Sequence, residues 1–317
     1  MVVNYKAPKT QTKILLVDIG GTNVRTCKAI LGSDELINPH KENTNCLKSF
    51  DELIQKFLDE DSQIKHIVFS VAGPKINQAI SMTNRDFKID KNEILKTFNL
   101  ESCHVLNDWE SIGYSLALFD KNDMHVINKG KQFNNTALMI GPGTGLGAAL
   151  VVNNDIVLPT EIGNSCFSIN SLMAQTELSN SNDFVVIEDL ISGGGISNIF
   201  RHFSGEDKTP ELILESYHKN ATAKHAIDQF SICLSQVLSE LAMTYMPGRG
   251  IFLAGGLMRS LVKHLDINEF TSNFLINRKP MHADVLREIP ISLVTREMTC
   301  LHGNLNYINN LNLRSII

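Results

Sequence analysis

The chain has 317 residues, of which 43% are hydrophobic and 20% charged, and a formal net charge of −5. That balance belongs to a globular protein with a sizeable core and room for two domains. It leaves no basic footprint for nucleic acid, and no apolar stretch approaches the length of a membrane-spanning helix.

Met1 to Lys13 is short and polar without the apolar core of a signal peptide, and reads as a frayed tail before the first strand. Ile14 to Val17 and Val24 to Ile30 are strand-like runs on either side of Asp18-Ile19-Gly20-Gly21-Thr22-Asn23, so they read as a β-hairpin. Asn38 to Asn45 is polar and reads as an exposed loop. Phe50, Leu53, Ile54, Phe57 and Leu58 mark one face of a helix over Ser49 to Leu58. His66 to Val71 is a β-branched strand that stops at Ala72-Gly73-Pro74, and Ala79 to Met82 is a short strand. Lys91 to Phe98 is a helix, Cys103 to Leu106 a strand ending at Asn107-Asp108, and Trp109 to Phe119 a helix.

The same order then recurs. Ala137 to Ile140 and Ala148 to Val152 flank Gly141-Pro142-Gly143-Thr144-Gly145-Leu146-Gly147, a second hairpin, and Asn153-Asn154-Asp155 turns the chain again. Leu178 to Asp183 reads as an exposed loop. After the apolar Ile187 to Ile191, Ser192-Gly193-Gly194-Gly195 breaks the chain before a helix over Ile196 to Phe203. Ala223 to Tyr245 keeps a helical period over many turns. Ile251 to Ala254 is a buried-type strand ending at Gly255-Gly256, Ile291 to Val294 another, and Cys300 to Leu313 a final helix. Strands alternating with helices imply an α/β protein, and the doubled pattern implies two similar lobes with a cleft between them. Cys27, Cys46, Cys103, Cys166, Cys233 and Cys300 are scattered without zinc spacing, which fits reduced thiols in a cytoplasmic protein.

The two glycine turns carry the chemistry. Glycine permits positive φ and close approach of a ligand, and exposed backbone N–H groups in a turn can form an anion site. Neither turn is a Walker A loop, which needs Lys and then Ser or Thr after its last glycine. Gly143 to Ala148 loosely matches a dinucleotide fingerprint, but a strand rather than a helix follows it. Two such turns in one chain suggest a duplicated architecture that holds one polyphosphate from both sides.

Taken together, Val17-Asp18-Ile19-Gly20-Gly21-Thr22-Asn23, Ala72-Gly73-Pro74, Met82-Thr83-Asn84, Leu106-Asn107-Asp108, Gly141 to Gly147, Glu161-Ile162-Gly163-Asn164, Glu188 with Ser192-Gly193, and Leu253-Ala254-Gly255-Gly256 resemble bacterial ATP-dependent glucokinase. The resemblance runs nearly end to end. It implies the duplicated, ribonuclease H-like fold of the sugar kinase/Hsp70/actin superfamily, with a small lobe over 1–117 plus 304–317 and a large lobe over 118–303 around a central cleft. The zinc cluster usual in the related repressor/ORF/kinase sugar kinases is absent from the sequence.

The resemblance also implies roles. Phosphoryl transfer to a sugar hydroxyl needs the polyphosphate held, Mg²⁺ to shield it, the hydroxyl aligned and a base for its proton. Val17, Asp18, Ile19, Gly20, Gly21, Thr22 and Asn23 would contact the ATP phosphates, with Gly143, Thr144 and Gly145 as the second phosphate loop and Gly255-Gly256 as the adenosine turn. Asp18 would organise Mg²⁺ through water; as a bare sequence feature it is equally a turn residue. Asp108 would be the base for the sugar 6-hydroxyl, although Asp before Trp109 is also a favoured helix cap. Asn107, Asp108, Glu161, Asn164 and Glu188 would contact the hexose, with Asn84 lining or supporting the pocket. Taken alone, Glu161 and Glu188 are ordinary loop carboxylates, and the glycine pair ordinary strand–helix packing. Asn164 stands where the family usually has His, and Ile162 where it has Gly, which opens the choice between glucose and another hexose or hexosamine. The implied activity is ATP:D-glucose 6-phosphotransferase in a cytoplasmic homodimer, and a non-catalytic sugar sensor on the same fold is the alternative.

Overall fold

A computed structural model describes residues 12–46, 49–73, 75–76, 79–81, 88–166, 169–178 and 183–316. The chain divides into two units, Met1–Leu118 with Met298–Ile317, and Phe119–Glu297.

The first unit begins with β1 (Lys13–Ile19), β2 (Asn23–Ile30) and β3 (Ile37–Asn43), followed by α1 (Phe50–Glu60) and β4 (Ile64–Val71). Three short strands, β5 (Lys75–Ile76), β6 (Ala79–Ser81) and β7 (Lys88–Asp90), pair in a small antiparallel sheet. Then come α2 (Lys91–Phe98), β8 (Ser102–Asn107) and α3 (Asp108–Ser115), which tightens into a 3₁₀ turn over Leu116–Leu118. Among the described residues the main sheet runs β3-β2-β1-β4-β8; β1 pairs antiparallel with β2 and parallel with β4. Side chains alternate across a strand, so Leu15, Val17 and Ile19 enter the core with α1 and α2, while Ile14 and Leu16 enter the core on the opposite face. Asp18 is next in the second series.

The second unit contains β9 (Met124–Asn128), β10 (Thr136–Pro142), β11 (Leu146–Val152) and β12 (Ile156–Thr160), then α4 (Ile169–Met173), α5 (Ile187–Leu190), α6 (Gly193–Ser204), α7 (Pro210–Glu215) and α8 (Ala221–Tyr245). It ends with β13 (Gly250–Leu253), α9 (Gly256–Leu261), α10 (Ile267–Leu275), α11 (Pro280–Glu288) and β14 (Ile291–Val294). Its sheet order is β12-β11-β10-β13-β14-β9. Apart from β9 on its edge, this repeats the first unit: three antiparallel strands, then two parallel ones beside the first of them. The duplicated α/β fold of the actin-like superfamily is therefore present. The core of this unit gathers around α8, whose Ile227, Phe230, Leu234, Val237, Leu238 and Leu241 are buried.

The chain finally returns to the first unit as α12 (Thr299–Ile316), whose Leu301, Leu305 and Ile308 pack on Ile14, Leu16, Val68 and Leu106. Among the described residues no helix is long and apolar enough to cross a membrane.

Several local readings need correction. Residues 37–43 pair with β2 as an edge strand rather than a loop; an edge strand exposed on both faces has no alternation to betray it. Leu178 is fully buried, not part of an exposed loop. Gly193-Gly194-Gly195 does not break the chain but forms the first turn of α6, capped by Ser192, whose Oγ accepts from Gly195 N at 2.9 Å. A Cβ on Gly195 would collide with the Leu190 carbonyl, so tertiary crowding overrides helix propensity there.

Candidate active site

In the first unit the β1–β2 turn is closed by Gly20 N donating to Asn23 O at 2.9 Å and anchored by Thr44, whose N donates to Thr22 O at 2.9 Å. Gly21 and Thr22 are exposed, and a Cβ on Gly21 would meet nothing within 4 Å. Neither Gly20 nor Gly21 takes positive φ. What they provide is bare, approachable backbone rather than an unusual turn.

Asp18 sits at the end of β1 and is 3% exposed. The sheet register sets Arg25 of β2 and Ser70 of β4 on either side of it. Arg25 Nη1 donates to Asp18 Oδ2 at 2.6 Å, and Ser70 Oγ donates to Asp18 Oδ1 at 3.1 Å. A buried carboxylate needs such partners. With a cation already on one oxygen, the remaining lone pairs suit the water shell of Mg²⁺ better than direct ligation. Among the described residues no group of three or more metal-ligating side chains occurs, so Asp18 could serve a cation only singly and through its water.

Asp108 is the first residue of α3, at the end of the parallel strand β8. It is not the helix cap. Asn107 is: its Oδ1 accepts from Trp109 N at 2.9 Å and Glu110 N at 3.2 Å, and Glu110 Oε2 accepts from Asn107 N at 3.2 Å. Asn107 Nδ2 also donates to Gly73 O at 2.9 Å. Most of the Asn107 carboxamide is thus engaged in holding the strand–helix corner that presents Asp108. Asp108 Oδ1 accepts from Trp109 N at 3.0 Å. The half-buried Cys300 thiol lies 3.9 Å from the Asp108 carbonyl. Burial, then the charges of Asp18 and Asp108, push this thiol well above its ordinary pKa, so it stays protonated between two carboxylates.

In the second unit Gly143 N donates to Gly145 O at 2.7 Å and closes the β10–β11 turn. Gly143 and Thr144 are exposed, and a Cβ on Gly143 would meet nothing within 4 Å. Gly193 N, in the first turn of α6, donates to Gly143 O at 2.8 Å, so a helix N-terminus abuts this turn. At that N-terminus Gly193 N and Gly195 N are bonded within the protein, and Gly194 is exposed.

Gly145 has a different use. A Cβ there would lie 2.5 Å from Glu188 Oε2, and one on Gly163 would crowd both Glu188 and the Leu146 carbonyl. Glu188 is thus seated in a notch between two glycines, and its Oε2 accepts from Leu146 N at 3.2 Å. Ser192 Oγ donates to Glu188 O at 2.6 Å and ties the α5–α6 junction to the same place. Glu161 is close enough for its carboxyl to be raised above the ordinary range, first by burial and then by the Glu188 charge. Glu161 precedes the 3₁₀ turn Ile162–Asn164 and Asn164 ends it; both residues are exposed overall, while the Glu161 carboxyl is partly screened from water beside Glu188. Gly255 takes φ +107°, so it is required by backbone conformation more than by strand–helix packing.

The structure thus gathers Asp18 with the first turn, and Glu161, Glu188 and Asn164 with the second. Asn84 lies outside the described residues. Arg25, Ser70 and Cys300, which surround Asp18 and Asp108, were not legible in the sequence. Hairpin register alone could have found Arg25, since Asp18 and Arg25 are symmetric about the turn; the others come from distant segments.

The family model described as glucokinase matches residues 15–311. A glucokinase of Mesorhizobium japonicum is 26% identical over 314 residues, covering 94% of this chain and 92% of that protein. The crystal structure of a glucokinase from an Antarctic psychrotroph superposes with a TM-score of 0.80 at 24% identity, covering 94% of this chain and 99% of the other. That of Balamuthia mandrillaris glucokinase in complex with glucose gives 0.73 at 19% identity, covering 95% and 94%. From the motifs, the duplicated sheets and a family match over most of its length, the chain belongs to the glucokinase family.

Proposed function

We propose that this protein transfers the γ-phosphoryl group of ATP to the 6-hydroxyl of glucose. The observation that carries the reading is the Glu188 carboxylate, held by Leu146 N in its glycine notch with Glu161 beside it. Two neighbouring carboxylates offer several acceptors for the hydroxyls of a sugar.

In this reading the exposed backbone at Gly20–Asn23 and Gly143–Gly145, with the α6 N-terminus, takes the phosphates. Gly255-Gly256 takes the adenosine. Asp18, fixed by Arg25 and Ser70, would hold Mg²⁺ through its water, and the ion would shield the phosphate charge. Glu161, Glu188, Asn164 and the remaining Asn107 N–H meet sugar hydroxyls, because a site built to bond a hydroxyl rejects analogues lacking it. Asp108 accepts the 6-hydroxyl proton as the oxygen attacks, contributing about 10²–10⁴ in rate. The enzyme works as a cytoplasmic homodimer, as the family resemblance implies.

Asn164 favours a second reading within the same chemistry. Asn is shorter than His and never cationic, so the preferred acceptor becomes another hexose or a hexosamine. ADP release measured with Mg-ATP against glucose, mannose, fructose, glucosamine and no sugar separates these. Turnover on glucose above the others supports the first reading; a different best sugar supports the second. Folded, ATP-binding protein without sugar-dependent release refutes both and leaves a sugar sensor.

A further inference from the structure

Asn304 is an anomaly in α12. It lies between Leu301, Leu305 and Ile308 on the helix face that enters the core, and it is fully buried. A carboxamide there is costly unless bonded. Its Nδ2 donates within reach of three acceptors: Val17 O at 3.2 Å, Ser70 Oγ at 3.2 Å and Val68 O at 3.5 Å. Its Oδ1 lies 2.7 Å from Ser111 Oγ of α3, whose one proton it shares with Cys300 O, also at 2.7 Å. The two helices pack tightly here, since a Cβ on Gly303 would collide with the Ser111 carbonyl.

The direction of these bonds matters. Ser70 has one hydroxyl proton and two candidate acceptors, Asp18 Oδ1 at 3.1 Å and Val17 O at 3.5 Å. Asn304 supplies Val17 O and also donates to Ser70 Oγ. The Ser70 lone pair is thereby filled and the competing acceptor satisfied, which turns the Ser70 proton onto Asp18. Arg25 holds the other carboxylate oxygen.

We propose that Asn304 is a positioning residue: through Ser70 it locks the Asp18 carboxylate in the orientation that receives the hydrated cation of a metal–nucleotide complex. This rests on the reading of Asp18 given above. The C-terminal helix then does more than cover the sheet; it sets the rotamer of a group reached through two hydrogen bonds.

The test is a double-mutant cycle. Mn²⁺ binding in the presence of ADP is followed by the electron paramagnetic resonance of free Mn²⁺, for wild type, Ser70→Ala, Asn304→Ala, the double variant and Asp18→Asn, with thermal unfolding alongside. Partners that orient a metal-site group typically cost 10–100-fold in metal affinity when removed. Each single variant is expected to weaken Mn²⁺ binding about tenfold, and the double variant no further than the worse single, because the two act in series. Asp18→Asn should lose at least as much. Ser70→Ala within twofold of wild type overturns the proposal, even if it unfolds earlier. So does a double loss equal to the product of the singles. Should Asn304→Ala fail to fold, Ser70→Ala decides alone. An inert Asp18→Asn refutes both the relay and the metal role of Asp18, while sugar-dependent ADP release would leave the kinase reading standing. The expected Mn²⁺ pattern in a protein without sugar-dependent release would sink that reading and keep the relay.

Discussion

Gly145→Ala separates the two uses of the second turn. Gly145 is not at positive φ, so alanine is allowed by the backbone. Its Cβ would fall 2.5 Å from Glu188 Oε2 and 3.4 Å from Glu188 Cδ, and no other residue comes within 4 Å. The colliding atom is the end of a flexible side chain, so the fold yields by moving the carboxylate. Losing the Leu146 N bond to the carboxylate should cost up to about 1.5–3 kcal/mol of stability, a melting shift of about 3–12 °C for a unit of this size. The displaced Glu188 loses its hydrogen bond from Leu146 N, and with it the orientation in which it meets a sugar hydroxyl. A hydrogen bond to a charged group is worth about 1.5–3 kcal/mol. At 1.4 kcal/mol per factor of ten, that predicts a loss of about 10- to 100-fold in kcat/KM for the sugar, with KM for ATP nearly unchanged. Steady-state kinetics with each substrate varied in turn gives both numbers. A raised KM for ATP with an unaltered KM for sugar would refute the reasoning, showing that Gly145 serves the phosphates alone and that the notch around Glu188 is incidental.

Asp108→Asn should lower kcat by about 10²–10⁴ while leaving the melting temperature and sugar KM near wild type; ADP release and thermal unfolding check this, and a mild kcat effect would remove Asp108 as the base. Glu161 carries a pH signature. Its folded-state pKa is raised, by burial first and Glu188 second, so just above the ordinary glutamate value the folded state binds more protons than the unfolded one. Stability attributable to Glu161 is therefore lost as pH rises through that window and regained on acidification. Melting curves across the mildly acidic range should show wild type gaining on Glu161→Gln as pH falls, and parallel curves would contradict the carboxylate pairing. Gly255→Ala places a side chain at φ +107° and should cost about 1–3 kcal/mol by calorimetry; a neutral result would mean that the turn relaxes freely.

The sequence by itself determined the repeating elements and their order. Hydrophobic period and glycine turns located both hairpins, β4, β8, α2, α8 and the parallel strands β13 and β14, because those signals are local. Long, strongly periodic segments such as 221–245 came out within two residues of their ends. Motif order along the chain also singled out Asp18, Asp108, Glu161 and Glu188. What local pattern could not carry was decided by tertiary contact. Residues 37–43 are a strand only because β2 offers an edge. Gly193–Gly195 open a helix because Ser192 caps them, and Gly195 is glycine because the Leu190 carbonyl leaves no room for a Cβ. Asn107, not Asp108, caps α3, which depends on one residue's shift in where the helix begins. Asp18 is bonded to Arg25, seven residues away, and to Ser70, 52 away, and Ser70 in turn to Asn304, 234 further on. Such partners are joined by sheet register and helix packing across the chain, and no window of sequence contains them together.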